Sequence, residues 1–275
     1  MVNKKSEKPL VSVVMATYNE TADFIRCSME SILNQSFTDF EFIIIDDSTK
    51  QETIHVIDEL SSDSRIIIIR DSKRIGFVKA LNTGFKKAKG KYIARMDGDD
   101  IAERKRLEIQ VSFLEKNPRY SVIGGAMNII NDKGKVTAQR FYPATSFKLN
   151  LWSVFRNPIA HPTVMLRRDI VDNGLLYDES LLKAEDLEFW LRLMKKGYKL
   201  YNLPDILLNF RVSGDLGTKR AGDNFIYNYK ARYKNFSWKY PLRSILSLCI
   251  SKAYVLMPEY IIKKVYTVEN TKNQS

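Results

Sequence analysis

Four short apolar runs in the first hundred residues constrain the fold of this chain more than any other feature. They lie at 11–16, 40–45, 65–70 and 92–96, and a polar or helix-length segment follows each of the first three. Strands that are apolar on both faces belong in a parallel sheet covered by helices on either side. Between the first two runs, 22–35 sets Phe24, Ile25, Met29, Ile32 and Leu33 on one side of a helix that Thr21 can cap. A second helix is predicted at 51–60, and Gly76 opens a third that runs to about 88. The pattern is that of an α/β protein with a mainly parallel, Rossmann-like sheet. Ligands of such sheets bind just beyond the carboxyl ends of the strands.

The second half changes rhythm. A strand is predicted at 121–130 with Gly124 and Gly125 inside it, and another at 163–167 after His161 and Pro162. Leu187, Trp190, Leu191 and Met194 recur at i, i+3, i+4 and i+7 in an amphipathic helix at 185–196, where Trp190 is a packing residue. Strands at 198–203 and 206–211 follow, then basic, aromatic helices beyond Gly217. With no internal repeat or low-complexity linker, the expected division is a domain at 1–215 and a helical appendage at 216–275.

Charge separates these two parts. From Arg211 onward there are twelve Lys/Arg and four Asp/Glu, so 65 residues carry +8 of the net +12. A basic tail on a nearly balanced body suits a polyanionic surface, either nucleic acid or the anionic leaflet of a membrane. The stretch at 242–256, extended by apolar and basic residues at 260–268, is too short and interrupted to span a bilayer but suits the headgroup plane. The first apolar run meets TYNE instead of a cleavage site, so it reads as a strand and not a signal peptide. Cys27 and Cys249 offer no disulfide framework and are expected to be small buried hydrophobes. These features point to a cytoplasmic protein.

The strand ends carry the chemistry. Asp97-Gly98-Asp99-Asp100 follows the fourth strand, and three carboxylates in four residues repel one another unless a cation lies among them. Oxygen ligands on a turn suit Mg²⁺ or Mn²⁺. The plain alternative is an acidic turn that caps a helix starting near 101. Asp46 and Asp47 end the second strand, where they bind a ligand or cap the next helix. Glu185 and Asp186 open the amphipathic helix, as dipole-stabilised caps or as a general base. His55 is expected on a helix surface. His161 and Arg211 are candidate phosphate or acceptor contacts; the alternative is a structural role for His161 and a plain surface cation for Arg211.

Taken in order, these segments resemble glycosyltransferase family 2, a family with the GT-A fold. The similarity covers about 10–215: VSVVMATYNE at 11–20, FIIIDDS at 42–48, Arg74 to Gly76 with ALNTG at 80–84, Asp97-Gly98-Asp99-Asp100, and the Glu185-Asp186 pair. HPTVMLRR at 161–168 and AEDLEFWLR at 184–192 are similar to bacterial transferases of capsule, exopolysaccharide and O-antigen synthesis. Serine stands at 213 where many relatives carry histidine, so no contact is carried to that position.

The resemblance implies that Thr17, Tyr18, Glu20, Asp46, Asp47, Arg74 and Asp97 bind the nucleotide of a nucleotide-sugar donor, UDP being the usual carrier. It implies that Asp99 with Asp97 holds Mn²⁺ or Mg²⁺, and that Asp186, beside Glu185, is the base of an inverting transfer. On this reading 10–100 serves the donor and 101–215 serves the acceptor, a saccharide or lipid-linked saccharide. The protein is then peripheral on the inner face of the cell membrane, and no nucleic acid is expected. Two rivals remain: a nucleotidyltransferase on a similar sheet, and a nucleic-acid-binding protein acting through the basic tail.

Overall fold

A computed structural model describes residues 8–213 and 223–256. The chain divides into two compact units, one of 1–123 with 162–176 and one of 124–161 with 177–275.

The first unit is built on four parallel strands in the order β3-β2-β1-β4: β1 (Val11–Thr17), β2 (Phe40–Asp46), β3 (Ile66–Ile69) and β4 (Tyr92–Asp97). Every residue of β1 and β2 is buried, as their unbroken apolar runs require. The connections are α1 (Ala22–Leu33), α2 (Gln51–Leu60) and α3 (Phe77–Lys87). Thr21 caps α1 through its hydroxyl, which accepts from the Phe24 amide, and Ile25, Met29 and Ile32 are buried on one stripe. After β4 come β5 (Ile101–Ala102) and α4 (Arg106–Lys116), then the start of β6 (Val122–Ile130). The strand that numbers eighth in the chain, Met165–Arg167, runs antiparallel to β4 and to the first residues of β6. It leads into the short α6 (Asp169–Asp172).

In the second unit, the remainder of β6 pairs antiparallel with β7 (Val136–Arg140) and neighbours β9 (Leu200–Arg211). Its helices are α5 (Ser146–Trp152), α7 (Glu185–Lys195), α8 (Asp223–Lys234) and α9 (Pro241–Leu256). Leu187 and Leu191 of α7 pack on Ala231 of α8, and Asn235 donates to Glu188. Phe225 of α8 stacks on Tyr254 of α9 with ring centroids 5.5 Å apart. Among the described residues, no helix is long and apolar enough to cross a membrane.

Several local expectations change. Cys27 and Cys249 are exposed. Cys27 lies off the stripe of Ile25, Met29 and Ile32, and the buried residues of α9 are three serines. The two strands expected at 198–203 and 206–211 are one, β9, which continues through Pro204. Pro204 and Asp205 are exposed there, where a missing ladder amide is tolerated. The strand expected from 163 begins at Met165 because His161–Thr163 forms a 3-10 turn. The helices expected beyond Gly217 are described from Asp223, and the extension at 260–268 lies outside the described residues.

Candidate active site

Parallel register brings the polar strand ends of the first unit side by side. Thr17 is the partner of Asp46 across β1 and β2, and Ala16 that of Asp97 across β1 and β4. The chain leaves β1 through Tyr18 and Asn19, the latter in a left-handed conformation (φ 61°) that asparagine tolerates better than most residues. The Asn19 side-chain oxygen accepts from the amides of Thr49 (2.8 Å) and Lys50 (2.9 Å), tying the β1 loop to the β2 loop. Thr17 donates its hydroxyl to Glu20, which also accepts from the Tyr18 amide at 2.9 Å. Tyr18 is exposed, and the Arg74 guanidinium lies 3.7 Å above its ring. Two residues that the resemblance associates with the nucleotide thus meet in a cation–π contact.

The second strand end is engaged within the fold. Asp46 accepts from the Ser48 amide at 2.9 Å and from Arg70 Nε at 2.7 Å, its carboxylate fully buried. Asp47 accepts from the amides of Ile75 (3.1 Å) and Gly76 (2.8 Å). Gly76 has φ 84°, a conformation suited to glycine, and it is the N-cap of α3. Neither aspartate caps α2, whose N-cap is Lys50 with no side-chain cap bond.

The third strand end concentrates charge. Ligand atoms of Asp97, Asp99 and Asp100 lie within 4.8 Å of one another, and Asp100 is buried. Burial, then Asp97 and Glu20, push the Asp99 carboxyl up to about 6. Burial also raises Glu20, with Asp97 contributing. At Gly98 a Cβ would stand 3.0 Å from Glu20 Cδ and 3.2 Å from Ile25 Cδ1, so both side chains would have to give by a few tenths of an ångström. Two buried arginines face the carboxylates. Arg95 donates to Asp97, and Arg106 donates to the Arg95 carbonyl at 2.6 Å. Burial and the neighbouring Arg95 bring Arg106 down to about 10, so it stays cationic at neutral pH.

With every group ionised, four carboxylates face two guanidinium groups, a deficit that one divalent cation offsets. The oxygen-only donor set fits Mg²⁺ or Mn²⁺. The capping alternative fails, because α4 starts at Arg106 and its N-cap, Lys105, makes no side-chain cap bond.

In the second unit, Glu185 and Asp186 form the first turn of α7. The preceding residue, Ala184, is left-handed (φ 57°), and with Asn19 it is one of two such non-glycine residues among those described. An alanine held in that region signals a constraint worth a functional hypothesis. Asn157 donates its amide to Asp186 Oδ2, and the Leu187 amide donates to Oδ1 at 2.6 Å. His161 is buried, its Nε2 2.8 Å from the Tyr177 hydroxyl and its ring edge-on to Trp190. Trp190 is fully buried, as its spacing predicts, and His55 is exposed. Arg211 is not a surface cation: it is buried and donates to the carbonyls of Asn131 (3.1 Å) and Asp132 (3.0 Å).

Arg70, Arg95, Arg106 and Asn157 escaped the sequence reading. Arg95 alone left a signal, a charged residue inside an otherwise apolar strand. The others reach the site through bonds to Asp46, the Arg95 carbonyl and Asp186, 11 to 29 residues away, a distance that only the fold closes.

Comparisons with known proteins identify the family. The glycosyl transferase family 2 profile matches residues 12–175. An uncharacterized glycosyltransferase of Methanocaldococcus jannaschii, MJ1057, is 32% identical over 98% of this chain and 96% of its own. The amylovoran biosynthesis glycosyltransferase AmsE of Erwinia amylovora is 29% identical over 94% and 98%. Among solved structures, S. aureus TarS 1–349 in complex with UDP-GlcNAc superposes with a TM-score of 0.69 at 19% identity, covering 89% of this chain and 72% of that one. The mannosyltransferase PcManGT of Pyrobaculum calidifontis, in complex with GDP-Man and Mn²⁺, gives 0.61 at 15% identity over 96% and 74%. The chain therefore belongs to glycosyl transferase family 2 and has the GT-A fold.

Proposed function

We propose that this protein is an inverting glycosyltransferase that moves a sugar from a nucleoside diphosphate to an acceptor hydroxyl. The observation that carries the reading is the carboxylate cluster at the end of β4, aligned in register with the ends of β1 and β2. Tyr18 with Arg74 offers a stacking surface for a base, and the β2 end at Asp46 and Asp47 completes the nucleotide side together with Thr17, Glu20 and Asp97. Asp99 and Asp97 would hold Mn²⁺ or Mg²⁺, which when bound offsets negative charge growing on the departing diphosphate.

Asp186 takes the proton from the acceptor hydroxyl as its oxygen attacks the anomeric carbon. The bond to the diphosphate breaks, its electron pair leaves with the nucleoside diphosphate, and the anomeric configuration inverts. Asn157 holds the Asp186 carboxylate in one orientation, and Glu185 adds negative charge beside it. His161 and Arg211 are assigned to the acceptor or phosphate only secondarily, since both have partners within the fold. A UDP-sugar is the favoured donor, supported by the TarS complex, and polysaccharide assembly the favoured setting, supported by the role named for AmsE. The acceptor is a saccharide or lipid-linked saccharide at the inner face of a membrane. The functional division remains 1–215 for transfer and 216–275 for the appendage.

A screen of nucleotide sugars for Mn²⁺-dependent hydrolysis tests this without the acceptor. One sugar should release its nucleoside diphosphate. Release of pyrophosphate from a nucleoside triphosphate would instead establish a nucleotidyltransferase.

A further inference from the structure

Helix α9 is inside out. Its buried residues are Ser244, Ser247 and Ser251, spaced i, i+3 and i+7 on one face, whereas Leu242, Ile245 and Leu246 point outward and Leu242 is 83% exposed. The serine hydroxyls are satisfied inside: Ser244 accepts from the Ser237 amide at 3.1 Å, and Ser251 donates to the Ser247 carbonyl at 2.8 Å. A helix that only had to cover a core would place its leucines where the serines are.

The exposed apolar face has neighbours of the same character. Arg243 of α9 donates to Asn150 of α5, and Ser247 donates to the Val154 carbonyl, so α5 and the turn after it lie alongside. There Phe147 is 80% exposed and Leu151 is also exposed, while Trp238, just before α9, is 85% exposed. A soluble monomer rarely leaves such a patch uncovered. The charges select the cover. Segments 145–156 and 235–256 contain no Asp or Glu, while Lys148, Arg156, Lys239 and Lys252 are exposed among the apolar residues.

We propose that α9, Trp238 and the outer side of α5 form a docking face for an anionic lipid bilayer. The apolar side chains enter the acyl boundary and the lysines and arginine meet lipid phosphates, with no carboxylate to be desolvated. This rests on the membrane placement proposed above and supplies the surface that carries it.

The test uses the full chain, without donor or acceptor, in flotation with phosphatidylcholine vesicles and with vesicles that also contain phosphatidylglycerol. The chain should float with the anionic vesicles only, and its tryptophan emission should shift to the blue, a shift reduced in Trp238→Phe, which keeps the exposed Trp152 of α5. The triple change Leu242→Gln, Ile245→Gln and Leu246→Gln should cut vesicle-bound protein by roughly tenfold or more with its melting temperature kept. Each of Lys239→Gln and Lys252→Gln should weaken binding about fivefold. Absence of flotation, equal binding to neutral vesicles, or a solution dimer abolished by the triple change would each overturn the proposal. The readout needs no turnover, so it fails or succeeds independently of donor hydrolysis.

Discussion

The carboxyl edge of β1, β2 and β4 buries charge, and the outer face of α9 exposes hydrocarbon. Both depart from the usual sorting of polar and apolar residues, in opposite directions. At the strand edge Asp46, Arg95, Asp100 and Arg106 are all buried, which costs solvation unless each charge meets another. Arg70, Arg95 and Arg106 provide those meetings, and the cation proposed above would offset the remaining carboxylate excess. On α9 each exposed leucine is inexpensive singly, so the helix can remain folded with its apolar face open. Charge at the edge is therefore costly unless it is matched, whereas the helix face can stay open at little cost.

The largest expected effects fall on chemistry. Asp186→Asn keeps the size of the side chain but removes its capacity to accept a proton, so turnover should fall by about 10²–10⁴-fold while nucleotide affinity stays near normal. Asp99→Ala should act differently, lowering Mn²⁺-dependent donor hydrolysis by about 10²–10³-fold and abolishing the Mn²⁺ dependence of nucleotide binding in calorimetry. If Asp186→Asn retained turnover, the base would lie elsewhere; if Asp99→Ala retained metal-dependent binding, the charge excess at the edge would have another explanation.

How far each region was legible follows from the same contrast. Strands β1 and β2 announced themselves because burial on both faces forces unbroken apolar runs, whereas β3 carries such a run at the sheet edge with Ile67 exposed; the ends of β2 and β4 announced themselves because acids cluster there. The internal counter-ions were silent, since Arg70 and Asp46 are 24 residues apart and nothing local couples them. Ala184 in a left-handed conformation was equally silent, because alanine carries no signature of that region. On α9 the residues were read correctly as apolar and basic, but which face turned inward was not readable. Serines at 244, 247 and 251 and leucines beside them fit either orientation until α8 and α5 are in place.

Stability measurements sharpen the contrast. Arg70→Gln removes the Nε donor at 2.7 Å from the fully buried Asp46 carboxylate, and denaturant unfolding should lose about 1.5–3 kcal/mol. Ser247→Leu, on the inner face of α9 beside the Val154 carbonyl, should be comparably harmful, about 1–3 kcal/mol, because a buried site must take up the added methylenes and the bond to that carbonyl is lost. In an ordinary amphipathic helix the same change toward leucine on the inner face would stabilise.

The smallest expected effect is the most diagnostic of α9. Leu246→Gln, one residue from Ser247 but on the exposed side, should change unfolding free energy by no more than about 0.5 kcal/mol. The leucine is about half open to water already, so only part of its apolar contact is at stake when a polar amide takes its place. A loss of several kcal/mol would mean that this face is already covered in the free protein, and the asymmetry between the two sides of α9 would vanish. A neutral result beside a destabilised Ser247→Leu would fix the inverted orientation of the helix by energetics alone, with no reference to what eventually covers it.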